Sequence, residues 1–386
     1  MPERRVDIVQ IASPNGRWAR EFIRFPHRLY ARCDQWVPWF DRSTRNVLAK
    51  RHPFFDHAEG EYYVAIRDGR TVGRIGVFEN GNRSDDRTCD FYFFDTIDDL
   101  SVSSALFDAA FVWARRRGLP TVVGPKLFGA MSGQGILVDG FEHPAAMTMM
   151  NYNYPYYQRH LEAAGFTKRK DYVSAQIEPQ TYELPDKIRR IAEITLARGR
   201  FKVLRFKNVR ELRGIGSRVG SIYNSVLASF NEGHVLSDRE IEAAITDLMM
   251  IADPKLIKIL TYNERIVGFL LAFPDLSRAI RSSRGRLTPL SVFRLKREFR
   301  RTDRFIVNGI GILPEFQRLG GNALMYYELA QTSKEQKGRF VHAEMTQIAE
   351  STELMLGDMA TLGGMVYKKH RLFERQVDCE ALINPA

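Results

Sequence analysis

Two stretches of the chain each place two apolar-rich, β-branched and aromatic runs on either side of a tight polar turn. YYVAIR, Asp68-Gly69 and TVGRIGVF predict one β-hairpin, and IKILTY, Asn263-Glu264 and RIVGFLLAF predict a second. After the first hairpin come CDFYFFD and then DDLSVSSALFDAAFVWARRRG, a helix with polar caps at its start. Arg115, Arg116 and Arg117 lie in its last turn and Gly118 stops it, as the helix dipole and the left-handed cap favour. LPTVVGP reads as a buried strand, a helix runs from about Pro155 to Ala164, and DYVSAQI is the next strand. After the second hairpin the same order returns. FIVNGIGIL is a strand, a helix runs from Gly321 to about Lys337, RFVHAEM is a strand, a helix from about Thr352 ends at Gly363-Gly364, and MVYKKHRLFER is the last strand. The repetition predicts a duplicated unit, with lobes at 1–180 and 181–386. Each lobe is expected to be a twisted mixed β-sheet flanked by helices, of α/β class in its α+β form. The copies carry different insertions, Lys126–Tyr154 in the first and Pro274–Asp303 in the second.

The lead-in, residues 17–57, is dense in aromatics. Arg17 to Arg32 predicts one or two short helices interrupted at Pro26, and the segment from Asp34 to Phe40 reads as a loop. These rings either pack across a sheet edge or build a lid over an acceptor. At 386 residues with 44% hydrophobic and 27% charged content, the chain has the composition of a globular protein with full cores. Cys33, Cys89 and Cys379 are scattered and odd in number, which suits single thiols in a reducing cytoplasm and offers no metal-ligand spacing. No apolar run reaches the length of a membrane span, and the N-terminus has no apolar core of a signal peptide.

The net charge of +11 is concentrated. Between Arg278 and Arg304 nine arginines and one lysine face only Glu298 and Asp303, leaving +8 in one segment. A whole-chain nucleic-acid binder spreads its charge more widely, so a nucleic-acid partner is not expected. Within the segment, Thr288-Pro289 forms a cap and first-turn pair ahead of LSVFRLKREFRR. That helix either packs by its apolar stripe with the arginines in solvent, attracts phosphates of coenzyme A or of an acyl carrier protein, rests on a membrane, or touches RNA.

The stretch FIVNGIGILPEFQRLGGN joins an apolar strand to a helix through Pro314 and a glycine-bearing loop. The first N–H groups of a helix have no internal partner and sit at the positive end of its dipole, so this turn suits an anionic phosphate. PEFQRLGGNAL resembles the pyrophosphate-binding motif of the GNAT acyltransferase superfamily, Arg/Gln-x-x-Gly-x-Gly/Ala. Gln317 and Gly320 match it, whereas Asn322 stands where Gly or Ala is usual. The element order resembles the GNAT fold in both halves, more closely over 256–375 than over 60–177. Tandem GNAT architecture is shared by several acyl- and peptidyltransferases, which does not fix a substrate. Where the second half has PEFQRLGGN the first has DTIDDLSV, whose three carboxylates would repel a pyrophosphate.

The resemblance implies acetyl-CoA or another acyl-CoA as donor, held in the second lobe. Gln317, Arg318, Leu319, Gly320, Gly321 and Asn322 would take the pyrophosphate, and Gly311, Ile312 and Leu313 would meet the acyl and pantetheine arm. Alternation from Phe340 places His342, Glu344 and Thr346 on one face of a strand. Glu344 is either a general base or a structural carboxylate, and His342 reads as packing. GNAT enzymes often supply a tyrosine as acid for the thiolate at the position of Met359, so Tyr367 is the candidate substitute. In the first insertion Gln134, Asn151, Tyr152 and Asn153 are candidates for an acceptor pocket, or for a surface cover. The expected activity is transfer of an acyl group, acetyl foremost, to a small-molecule amine. The alternatives are a Fem-like or carrier-protein-dependent transferase and a non-catalytic GNAT-like binding protein.

Overall fold

The computed structural model describes residues 5–82, 87–127, 132–179, 181–227, 235–336 and 338–379. The chain divides into two compact units. The first comprises Met1–Tyr172, Ala279–Val292 and Lys368–Ala386, and the second Val173–Arg278 and Phe293–Tyr367.

Elements β1 (Asp7–Gln10), α1 (Arg17–Leu29), α2 (Asp41–Leu48), β2 (Ala58–Arg67), β3 (Arg70–Asn80), β4 (Thr88–Thr96), α3 (Leu100–Arg116), β5 (Thr121–Gly124), β6 (Ile136–Asp139) and α4 (Tyr156–Ala163) belong to the first unit. Along β7 (Thr167–Ile177) the chain passes into the second unit. There follow α5 (Asp186–Ala197), β8 (Phe201–Leu204), α6 (Val209–Arg213), α7 (Gly216–Leu227), α8 (Asp238–Met249), β9 (Lys258–Tyr262) and β10 (Arg265–Pro274). The rest are α9 (Ser277–Ser283), α10 (Pro289–Arg301), β11 (Arg304–Ile312), α11 (Gly321–Glu335), β12 (His342–Ala349), α12 (Glu353–Thr361) and β13 (Met365–Gln376), whose end returns to the first unit.

In the first unit β1, β2, β3 and β4 pair antiparallel in that order, β4 pairs parallel with β5, and β5 pairs antiparallel with β13. The second unit repeats the pattern: β8, β9, β10 and β11 pair antiparallel in that order, and β11 pairs parallel with β12. A parallel pair needs a crossover, and α3 and α11 supply it in equivalent places. Both predicted hairpins form, with positive φ at Asp68 and Gly69 and at Asn263 and Glu264, as a two-residue turn matched to strand twist requires. Short strand β1 and the run α5 to α8 lie outside the elements named from the sequence.

Among its described residues the first unit holds two buried clusters. Phe91, Phe107, Phe111, Tyr157 and Phe166 belong to one, and Phe22, Phe54, Tyr62, Phe78 and Phe93 to the other. Most lead-in aromatics are therefore packing. Helix α1 differs from expectation because it runs unbroken through Pro26. Proline cannot donate to the carbonyl four residues earlier, that of Phe22, and Arg74 Nη1 donates to that oxygen instead at 2.7 Å. Arg74 also pairs with Asp95 at 2.7 Å in the interior.

In the basic insertion the cap forms and the apolar stripe is only partly covered. Thr288 does cap α10, its Oγ1 accepting from Ser291 N–H at 3.2 Å. The apolar residues of its first turns are not packed, since Leu290 is 57% and Phe293 63% exposed.

Candidate active site

Strands β11 and β12 pair only from Arg304–His342 to Val307–Met345, although both continue further. The cause is a bulge. Leu271 of β10 faces Gly309 while Ala272 faces Val307, so Asn308 is an extra residue in β11. Its Oδ1 accepts from Thr346 Oγ1 at 2.6 Å, just where the two strands stop pairing. Beyond it, β11 remains bonded to β10, and its pairing with β12 does not continue.

Leu313 N–H donates to Val267 O at 2.9 Å, anchoring the end of β11 to β10. Pro314–Phe316 form one 3₁₀ turn, and Gln317 Nε2 returns to Ile312 O at 3.0 Å. Gln317 thus closes the loop on its own strand. Arg318 has φ +61° and Leu319 is 46% exposed. Gly320 has φ +94°, and a Cβ there would lie 2.2 Å from Thr195 Oγ1 of α5. Only glycine fits both the left-handed backbone and that contact. Helix α11 then starts with no side chain capping it. Leu324 N–H takes the first internal bond, to Gly320 O at 3.1 Å, so the N–H groups of Gly321, Asn322 and Ala323 precede the helical ladder.

The side chain of Asn322 is engaged: its Nδ2 donates to Asp358 Oδ2 of α12 at 2.9 Å, and Tyr326 OH donates to the same oxygen at 3.0 Å. Burial, with Asp358 beside it, holds the Tyr326 hydroxyl protonated well above the ordinary range for tyrosine. Gly311, Ile312 and Leu313 lie at the end of β11. A Cβ on Gly311 would stand 2.7 Å from Val226 Cγ1, so its bare face admits α7, whereas Gly309 has no neighbour nearer than 3.8 Å.

Glu344 is half-buried in the paired part of β12, opposite Ile306, and Tyr367 is half-buried on β13. Met359, where the family's acid is expected, is buried beneath Gly364. Beneath α11 lies an apolar recess of about 70 Å³ lined by Leu270, Val307, Ala343, Met345, Tyr182 and Tyr326. The Tyr182 hydroxyl is buried there without a hydrogen bond among the described residues, and burial pushes its pKa up to about 12. Asn308, Asp358 and Tyr182 were missed from the sequence. Only Asn308, a polar residue interrupting an apolar strand before glycine, left a visible signal.

The acceptor candidates of the first insertion form internal bonds in the first unit. Asn151 Oδ1 accepts from Tyr92 OH at 2.6 Å, and its Nδ2 donates to Gly133 O and Gly135 O. Asn153 bonds both backbone groups of Leu137, Tyr152 OH donates to Phe141 O at 3.0 Å, and Gln134 Oε1 accepts from Tyr172 OH at 2.8 Å. Asn151, Tyr152 and Asn153 also line a cavity of about 80 Å³ with Trp36, Arg74 and Asp95. Gln134 is not among its lining residues.

No protein-family model matches the sequence. The chain is 27% identical to Protein YghO of Escherichia coli K12 over 374 residues, covering 93% of each. It is 26% identical to the bacterial ceramide synthase of Caulobacter vibrioides over 368 residues, covering 92% of this chain and 94% of that protein. Among solved structures, a tandem GNAT protein from the clavulanic acid biosynthesis pathway superposes with a TM-score of 0.56 at 10% identity, over 99% of this chain and all of that one. The glucosamine N-acetyltransferase region of a fungal β-N-acetylglucosaminidase gives a TM-score of 0.57 at 12% identity, over 96% of this chain and 38% of that one. With the doubled strand order and the divergent parallel pair, these likenesses make the chain a protein of the GNAT fold in its tandem form.

Proposed function

We propose that the chain is an N-acyltransferase whose second unit holds an acyl-CoA and passes the acyl group to the amine of an amphiphilic acceptor. The observation that carries this reading is the start of α11: a helix terminus without a side-chain cap, set on a glycine turn beside two diverging strands. Such a terminus suits the pyrophosphate, and the strand gap suits the pantetheine arm with its thioester. Gln317, Asn322 and Gly320 serve this by shaping the turn, and the backbone of 318–322 supplies the donors.

The acceptor nitrogen attacks the thioester carbonyl, a C–N bond forms and the C–S bond breaks. Glu344 is the proposed base for the amine proton, and Tyr367 the proposed donor to the departing thiolate. The apolar recess beneath α11 favours an acyl chain longer than acetyl, and the ceramide synthase relative supports a lipid-like amine. Both refine the expectation of acetyl transfer to a small soluble amine.

The test is a mass-spectrometric assay with acyl-CoA donors of graded length, offered a sphingoid base and a panel of soluble amines. Amide product from the sphingoid base, rising with chain length, is the expected result. Transfer restricted to acetyl and soluble amines would contradict the acceptor class, and thioester hydrolysis without amide would contradict acyl transfer itself.

A further inference from the structure

The segment Ala279–Val292 belongs to the first unit and is locked onto it by Gly285. Gly285 has φ +73°, a Cβ on it would lie 2.6 Å from Trp39 O, and its carbonyl accepts from Asp41 N–H at 2.8 Å. That lock sets Arg281, Arg284 and Arg286 beside Arg20, Arg24 and Arg45 around a cleft of about 680 Å³. Arg28 also lines the cleft but pairs with Glu21 at 2.8 Å. Among the described residues, Asp34 and Asp41 are the carboxylates lining it, and Asp41 is engaged by His27 at 3.1 Å. None of the six other arginines has an acidic partner among the described residues. Clustered like charges repel one another, and an external anion relieves that repulsion.

Apolar side chains follow directly in the same unit. Leu287 is 49%, Leu290 57% and Val292 41% exposed, and Phe293, the next residue of α10, is exposed as well. A soluble phosphate or a nucleic acid would use the arginines and leave these leucines in water. A surface that is anionic at its headgroups and apolar just beneath uses both sets.

We propose that this face of the first unit docks on an anionic phospholipid surface, the arginines on lipid phosphates and Leu287 and Leu290 in the acyl boundary. Among the described residues no helix is long and apolar enough to cross a membrane, and the contact proposed for this face is a peripheral one. It stands apart from the acyl-transfer reading, because vesicle binding is measured without turnover.

The experiment is flotation of the full chain with phosphatidylcholine vesicles, with and without phosphatidylglycerol. Binding should be at least about tenfold tighter with phosphatidylglycerol and should weaken as salt is raised. Arg20→Glu with Arg284→Glu and Arg286→Glu should lose at least about tenfold. Leu287→Ser with Leu290→Ser should lose a similar factor on vesicles while leaving affinity for inositol hexakisphosphate unchanged. All five positions are exposed, and circular dichroism checks the fold. Should the charge reversal fail to fold, the salt titration of the unaltered chain decides the electrostatic part. No vesicle binding, or binding indifferent to phosphatidylglycerol and salt, overturns the proposal. Binding of hexakisphosphate or duplex RNA with no effect of the leucine pair on vesicles overturns it in favour of a soluble polyanion site.

Discussion

The two crossover helices begin in opposite ways. In the first unit Asp99 caps α3, its Oδ1 accepting from Ser101 N–H at 2.9 Å, and Arg67 pairs with its other oxygen at 2.6 Å. The Arg67 hydrogen bond holds the Asp99 carboxyl down at about 2. In the second unit α11 begins on Gly320 with no side-chain cap. The edges of the central strands differ as well. Lys126 N–H donates to Phe91 O at 2.8 Å and closes onto β4, whereas β11 and β12 end their pairing at the bulge, where Thr346 Oγ1 donates to Asn308 Oδ1. One helix terminus carries its own anion, and the other has no side-chain cap. The two copies of the fold share a strand order and differ at this terminus, and it is in the uncapped copy that we propose the donor site.

The sharpest test of that asymmetry is removal of the proposed base. Glu344→Gln should lower kcat by about 10²- to 10⁴-fold and leave acyl-CoA affinity unchanged. A loss of affinity instead would make Glu344 a structural carboxylate.

The units should also separate by pH. His370 in the first unit is buried, its Nε2 at 3.0 Å from Asn151 O, and burial lowers its pKa to about 4. Lys258 in the second is mostly buried, with Nζ at 2.7 Å from Thr332 Oγ1, and burial lowers its pKa to about 8. For both groups the unfolded chain binds the proton more readily. Stability therefore rises with pH, across about 4 to 6.5 for His370 and about 8 to 10.5 for Lys258, each by on the order of 3 kcal/mol. Hydrogen exchange should show the acid loss in β6 and β13 and the alkaline gain in β9. His370→Gln and Lys258→Met should each flatten its own slope.

A smaller effect is expected at the donor loop. Leu319→Glu brings a negative charge to the start of α11 at an exposed position, and should weaken acyl-CoA binding by about tenfold without lowering Tm. Gly320→Glu would be a poorer probe, since its side chain meets Thr195 and the positive φ strains the turn. The smallest change belongs to the first unit: Asp99→Ala should cost about 1 kcal/mol of stability, read as a fall in Tm. That contribution should already fade in the parent chain as pH falls from about 4 to about 2, since Asp99 is held ionised only by its native partners.

Much of this fold was written in the apolar runs and the turn residues between them. The hairpins, the crossover helices and the glycine stops from Gly118 to Gly363 followed from period and punctuation alone. The start of α11 was equally legible, because a left-handed glycine ahead of a helix leaves a local signature. Contacts between distant residues were not. Nothing near Pro26 announces that Arg74 will satisfy the carbonyl its ring leaves free, and nothing near Asn322 announces Asp358. The apolar residues of α10, among them Leu290, Val292 and Phe293, left packing and docking both open because periodicity reports a face without saying what covers it.

Acyl transfer as proposed requires a single donor site, at the start of α11. Calorimetric titration of a long-chain acyl-CoA, below its micelle concentration, into the parent chain, Leu319→Glu and Asp99→Ala tests it most directly. One site per chain, weakened in Leu319→Glu and kept in Asp99→Ala, is the predicted result. Two sites, or a site lost with Asp99 and indifferent to Leu319, would contradict it.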